Sequence, residues 1–545
     1  MGIPSYFSYI IKNYSNIIRN LQYFNNQYNF RFQHLYMDCN SIIYDAVHKL
    51  EKTQPPDFES AVIDHVINSI HDYIKLINPT DTIYIAFDGV APFAKMEQQR
   101  TRRYKSAFQT KISFDDNNQI SQSWNTSAIT PGTAFMENLS TKIDYHFKHA
   151  EKQYGVKQMI VSCTNQPGEG EHKLFAKLRE PIHTNDTVAV YGLDSDLIML
   201  SIFHLKYCKN IYIFREAPEF LKSAIPVKVR GNENEPHFLD IQHLSTSIST
   251  EMNCRYSDNQ RIYDYVFLCF LLGNDFLPHF PAMNIRTHGI NALLDIYRLC
   301  IGNHADRFFI SKQTNKIQWK NVGLFISAIA KREHEFLLNE YFVRDKFDKR
   351  FYPETTAEEK QEFLLNVPTI FRTEEKYICP DEPHWESRYY KTLFHCNREP
   401  DQIKKISMNY LEGLEWTFKY YTNGCPHWKW KYNYHYPPLF VDLCKYIPHF
   451  EMDFIDNTKP NNRPFLPETQ LSYVLSGQNQ HLLPKPICQF LKTNYADLYP
   501  DEYKFQWAFC RYFWEAHPVL PDISLELLEQ WEIQYSLNKK VNRTV

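Results

Sequence analysis

The chain has 545 residues, 43% of them hydrophobic and 23% charged, a balance that provides for a large packed core and excludes an intrinsically disordered protein. A formal net charge of −3 excludes a global basic field, so a polyanionic partner has to be held by local charge. Twelve cysteines without a C-x-x-C pair, and no apolar run near the ~18 residues of a membrane span, exclude a zinc ribbon and a membrane helix and predict reduced thiols in an intracellular protein.

The N-terminal "MGIPSYFSYIIKNY" lacks the basic and apolar regions of a secretory leader, and Tyr6 stands where a myristoylation pattern needs Ser or Thr. Apolar extended runs then alternate with helical patterns over residues 1–300. "FRFQHLYMD" precedes the helical "CNSIIYDAVHKL", and "TIYIAFD" precedes a long amphipathic segment. "QMIVSC", "TVAVYGLD" and "NIYIFRE" read as further strands. This order predicts an α/β fold whose sheet is mostly parallel.

Polar stretches near 109–127 and 229–236 read as surface excursions. Residues 301–400 read as a connecting or embellishing region, with "RFYPETTAEEKQEF" and "CPDEPHWESRYY" as its clearest loops. Residues 401–545 read as helical and rich in aromatics and prolines. No repeat period or low-complexity tract interrupts the chain.

Acidic residues recur where strands end. Asp38 closes "HLYMD", Asp88 closes "IYIAFD", and Asp194 and Asp196 follow "VAVYGL". Glu169 and Glu171 stand in the glycine-punctuated "PGEGEHK", and Asp275 follows the apolar "VFLCFLLGN". An Asp after a strand also serves as a turn former or helix cap, but ligand sites of open α/β sheets gather at the carboxyl ends of strands. Seven carboxylates in one cleft need divalent cations to stay ionised. Hard oxygen ligands suit Mg²⁺ or Mn²⁺, and a pair of such ions is the usual apparatus for phosphodiester hydrolysis.

After Asp88 comes "GVAPFAKMEQQRTRRYKSAF", in which Lys95, Gln99, Arg102 and Arg103 share one helical face. Guanidinium forks match phosphate oxygens, so this face predicts a clamp for a terminal phosphate.

The blocks "MDCNSIIYD", "AFDGVAPFAKMEQQRTRR", "ITPGTAFM", "PGEGEHK", "YGLDSDLIML" and "VFLCFLLGNDFLPHFP" resemble, in order and wording, the XRN family of 5′→3′ exoribonucleases. "YLEGLEWTFKYYTNGCPHWKWKYNYHYPP" and "RPFLPETQLSYVL" resemble its second conserved region, so the likeness spans nearly the whole chain. The resemblance implies a PIN-like nuclease sheet and assigns Asp38, Asp88, Glu169, Glu171, Asp194, Asp196 and Asp275 to two Mg²⁺ ions, with Mn²⁺ as a substitute. It assigns Lys95, Gln99, Arg102 and Arg103 to a 5′-monophosphate pocket. It implies a monomer that processively degrades decapped, single-stranded, 5′-monophosphorylated RNA to mononucleotides. The first base would stack on Tyr44, where the family usually has His, and on Trp428 or Trp430, between which the spacing does not decide.

Two other classes compete. A structure-specific flap endonuclease acting on DNA would follow its last acid with a glycine-rich helical grip on duplex, which "FLPHFPAMNIRTHGINALLDIY" lacks. A catalytically inactive RNA-binding scaffold would have lost acids, yet all are present. The resemblance suits a cytoplasmic enzyme more than a nuclear one, and the Asn, Ile, Lys and Tyr richness also suits a large DNA virus, with a virion as a further setting.

Overall fold

The computed structural model describes residues 2–117, 124–180, 184–192, 194–216, 235–456 and 462–543. Among them, seven strands form one sheet in the order β1-β7-β6-β5-β2-β3-β4. The strands are β1 (Ile18–Arg19), β2 (His34–Asp38), β3 (Thr82–Ala86), β4 (Gln158–Ser162), β5 (Thr187–Tyr191), β6 (Asn210–Arg215) and β7 (His237–Asp240). Neighbours from β6 to β4 pair in parallel, while β1 and β7 add an antiparallel edge. The mixed, mostly parallel α/β sheet agrees with the alternation in the sequence.

Side chains of the central strands alternate between two buried cores, as the period of two requires. Leu35, Met37, Ile83, Ile85, Ala189 and Tyr191 face one core, with the helices Asn40–Leu50, Phe58–Ile77 and Ala134–Phe147. Tyr36, Tyr84, Ala86, Val188 and Val190 face the other, with the helices Gly170–Leu178, Asp196–His204, Ile241–Met252 and Arg261–Cys269. Because both faces are covered, these strands read as nearly continuous apolar runs.

The second core continues without a break into the helical region, through Trp319, Phe336 and Tyr389 to Leu414 and Trp416 on the helix Pro400–Asn423. A third core joins Phe93 and Met96 of the helix Phe93–Asn117 to Leu471 and Trp531 of the C-terminal helices.

Several segments differ from the sequence reading, among them "CPDEPHWESRYY", whose last six residues open the helix Trp385–Leu393 instead of forming a loop. β1 and β7 are two and four residues long, too short for alternation to show. The first polar stretch is helical through Asn117, its residues 118–123 and most of 229–236 lying outside the described residues. Within "RFYPETTAEEKQEF", residues from Ala357 form a helix, started by a capping box in which Thr356 and Glu359 exchange hydrogen bonds. Its charge reflects a half-exposed helix and not a loop.

Candidate active site

Because β5, β2 and β3 are parallel neighbours, the turns that leave them open at one edge of the sheet. Asp38 ends β2, Asp88 lies just beyond β3, and Asp194 and Asp196 follow β5, with Asp196 opening a helix. Glu169 and Glu171 flank Gly170 at the start of the helix Gly170–Leu178, and Asp275 follows the turn Phe270–Leu272.

Close contacts join these acids. The Gly170 N–H donates to Asp88 Oδ1 at 2.7 Å, and a Cβ on Gly170 would stand 2.5 Å from Asp38 Oδ1. Only glycine allows that helix start to approach Asp38 so closely. Lys95 Nζ lies 2.5 Å from Glu169 Oε2 and 2.7 Å from Asp275 Oδ2. Asp196 is packed against Gly2, where a Cβ would fall 2.2 Å from its Oδ1.

Asp38, Asp88, Glu169, Glu171 and Asp194 line a cavity of about 310 Å³. Lys95, Gln99, Arg102, Arg103 and Tyr44 line it as well. Asp196 and Asp275 do not line it; Asp275 joins the cluster through Lys95.

Burial and crowding act together on the carboxyls. Burial, then the charges of Asp88 and Asp194, push Asp38 well above the usual carboxylate range, and burial, then Glu169, does the same to Glu171. Asp196 is pushed up to about 7 by burial and then by Asp275. Burial also acts upward on Asp275, but the Lys95 ammonium overrides it and holds that carboxyl well below its ordinary value.

The cluster has room for a cation in chemical terms. Asp38 Oδ1 is buried and has no hydrogen-bond partner, an expensive state for an anionic oxygen unless a cation meets it. Glu169, Glu171 and His172 offer ligand atoms all within 4.8 Å of one another. A donor set dominated by carboxylate oxygen fits Mg²⁺ or Mn²⁺.

The basic face divides as the helical period predicts. Arg103 donates to Thr130 Oγ1 at 2.8 Å and to the Ile129 carbonyl at 3.1 Å, which fixes its fork beside the cavity. Gln99 Oε1 accepts from Gln470 Nε2 at 3.3 Å, and Arg102 is exposed. Arg100 and Lys105, which do not share this face, donate instead to the carbonyls of Pro521 and Trp514. Lys95 shares the face, but its ammonium is engaged by two acids, a placement that the spacing does not reveal.

The two tryptophans separate. Trp430 is 9% exposed, stacks on Trp416 with centroids 5.4 Å apart, and donates to Glu412 Oε2 at 3.2 Å. Trp428 is half-buried, with its ring 4.0 Å from where a Gly168 Cβ would be, next to Glu169. Its carbonyl accepts the Phe93 N–H at 2.8 Å, satisfying a donor left free at a helix start.

Several residues at the site were not singled out from the sequence. Asn40 Nδ2 donates to Asp88 Oδ2 at 2.5 Å. The buried Lys173 donates to the carbonyls of Phe87 and Cys163 at 2.7 and 3.1 Å, tying the loops around the acids. Tyr420 donates to Glu169 Oε1 at 2.7 Å and Tyr421 to Asp196 Oδ1 at 2.5 Å, while His172 stacks on Tyr420 with centroids 3.6 Å apart. All five lie inside blocks quoted above, so position within a motif is the signal that could have found them.

Residues 1–217 match the model of the XRN 5′–3′ exonuclease N-terminus, and residues 255–384 and 378–538 match that of the Xrn1 helical domain. The 5′-3′ exoribonuclease 2 homolog of Drosophila melanogaster is 25% identical, over 98% of this chain and 71% of its own length. The 5′-3′ exoribonuclease 2 of Saccharomyces cerevisiae is 24% identical, over 100% of this chain and 76% of its own. Of solved structures, the catalytic core of Rad2 in complex with DNA substrate aligns with a TM-score of 0.31 and 14% identity, over 62% of this chain and 79% of that one, too loosely to assign anything.

Proposed function

Because the chain belongs to the XRN 5′–3′ exonuclease family and is an exoribonuclease, we propose that it consumes single-stranded RNA processively from a 5′-monophosphorylated end and releases mononucleotides. The observation that carries this reading is one cavity shared by five carboxylates and by Gln99, Arg102 and Arg103. A phosphate held by the two guanidiniums and the amide presents the following phosphodiester to the acids, so each step is counted from the chain end. A 5′-hydroxyl offers the clamp no charge.

Asp38, Asp88, Glu169, Glu171, Asp194, Asp196 and Asp275 are assigned to holding two Mg²⁺ ions, with Mn²⁺ as a substitute. When bound, such ions supply positive charge that polarises the phosphate and stabilises the leaving oxygen. Asn40, Tyr420 and Tyr421 orient Asp88, Glu169 and Asp196 through the hydrogen bonds described, and Lys95 keeps Asp275 ionised. Tyr44 on the cavity wall and Trp428 beside Gly168 are assigned to stacking on the first base, at ~1–3 kcal/mol per base.

The test is a time course with Mg²⁺ on RNAs that differ only in a 5′ monophosphate, hydroxyl, triphosphate or cap. The monophosphate is expected to be degraded at least about tenfold faster than the hydroxyl, in keeping with one lost charge-assisted contact, and faster than the triphosphate and the cap, which are bulkier than the single phosphate assigned to the clamp. Arg102→Ala with Arg103→Ala should erase that preference. Equal rates on all four ends in the unaltered protein would overturn the reading.

A further inference from the structure

Asp275, whose partner Lys95 lines the carboxylate cavity, itself lines a second cavity of about 360 Å³. The two share the helix Phe93–Asn117. Lys95, Gln99, Arg102 and Arg103 face the first, and Ala94, Gln98, Thr101 and Lys105 face the second. The volume lies within the ~300–1,000 Å³ typical of small-molecule sites.

The second cavity carries unused hydrogen-bonding groups. Gln98 Oε1, Asn274 Nδ2 and the hydroxyl of the buried Tyr436 are shielded from solvent and have no hydrogen-bond partner. Asn274 is fixed, because its Oδ1 accepts from the N–H groups of Phe276 and Leu277, both at 2.9 Å. Such groups are costly to bury unless something pairs with them.

One cation is also left over. Of the lining cations, Lys431 lies 2.6 Å from Glu97 Oε2 and Arg286 lies 2.7 Å from Glu515 Oε1. Lys105 is 8% exposed and donates to the Trp514 carbonyl, with no carboxylate at ion-pairing distance among the described residues. An ammonium has three donors, so two remain for an anion. Burial pulls its pKa down to about 8, which still leaves it mostly charged at neutral pH.

Flat ring faces complete the lining. His435 and His517 stack with centroids 4.7 Å apart and planes within 11°. Burial lowers the pKa of both, so they present neutral aromatic faces beside Tyr434 and Trp514. A buried unpaired cation, free donors and an acceptor, and aromatic faces together suit a ligand with one phosphate and a planar hydrogen-bonding ring.

We propose that this cavity binds a nucleoside 5′-monophosphate, the reaction product, with its phosphate on Lys105 and its base among the aromatic rings. The identity of the ligand as product rests on the exoribonuclease reading above. A product held here leaves the carboxylate cavity open for the next nucleotide.

The test is calorimetric titration of the full chain with 5′-AMP, alongside degradation of 5′-phosphorylated RNA. AMP also carries the 5′-phosphate assigned to the Arg102 and Arg103 clamp, so two sites are expected, of which Lys105→Met should weaken the second-cavity one at least tenfold and Tyr436→Phe severalfold. First-turnover RNA cleavage should stay within twofold in both variants. Arg102→Ala with Arg103→Ala should leave AMP binding at the second cavity within twofold. If Lys105→Met fails to fold, Tyr436→Phe, which removes one oxygen, decides the matter. Absence of AMP binding overturns the proposal, as does affinity indifferent to both second-cavity variants or lost with the arginines. Lys105-dependent AMP binding without RNA degradation would overturn the exoribonuclease reading and leave the nucleotide site standing.

Discussion

At Asp38 one side chain carries both the cost and the use of the site. Its Oδ1 is buried without a partner, and Asp88 and Asp194 raise its affinity for a proton. Asp38→Asn keeps the shape and removes the charge, so it should raise the melting temperature of the protein in EDTA. It should also lower Mg²⁺-dependent RNA degradation more than about a hundredfold, since loss of a group that merely orients a metal ligand typically costs ~10–100-fold. Melting curves and a time course check both halves, and undiminished degradation would remove Asp38 from the metal site. The acids were legible because carboxylates at strand ends are unusual in number. The Lys95 ammonium between Glu169 and Asp275 was not, because helical spacing reveals which residues share a face and never what that face meets.

Among elements, the helix Phe93–Asn117 was the most legible. Its period sorts Lys95, Gln99, Arg102 and Arg103 from Arg100 and Lys105, and the structure keeps that division. The W-x-W segment was less so, since Trp428 opens a turn, where the two-residue period that would put both rings on one face of a strand does not hold, and sequence does not say which ring is core. The packing distinguishes them, and so does an experiment. Trp430→Ala, which empties a place against Trp416 and Gly413, should cost ~3–5 kcal/mol of stability. Trp428→Ala should leave the melting temperature nearly unchanged and shorten the run of nucleotides removed per binding event. Chemical denaturation and a trapped single-encounter degradation assay measure the two, and the reverse pattern would reassign the stacking ring to Trp430.

Across the whole molecule, one buried core runs from the sheet into the helical region, so the two family segments are held by shared packing. Glu333 illustrates the price of such joints. Its buried carboxyl accepts the N–H groups of Phe440 at 2.7 Å and Val441 at 3.0 Å, linking the helix Glu333–Asp348 to the turn Phe440–Leu443. Burial, the largest influence, pushes its pKa up to about 8, from 4.5 in the unfolded chain. The folded form therefore binds this proton more tightly, and the resulting stabilisation is full below pH 4.5 and used up as pH rises to about 8. Between pH 5 and 8 the melting temperature of the unaltered protein should fall more steeply than that of Glu333→Gln. Parallel slopes would show that Glu333 does not titrate in this window.

Taken alone, the sequence determined the parallel strands, the carboxylates at their ends and the basic helix face, because these follow from local periods of 2 and 3.6 and from the order of elements along the chain. It missed the edge strands β1 and β7, which are too short to show a period, and the helix from Ala357, whose exposed face is charged. Tertiary structure alone decided that Lys95 sits among the acids, that Tyr420 and Tyr421 reach them from the helix Pro400–Asn423, and that a second cavity with an unpaired Lys105 lies beyond Asp275. Those relations join residues as many as 409 positions apart, as between Lys105 and Trp514, and only the packing of distant segments brings them within hydrogen-bonding reach.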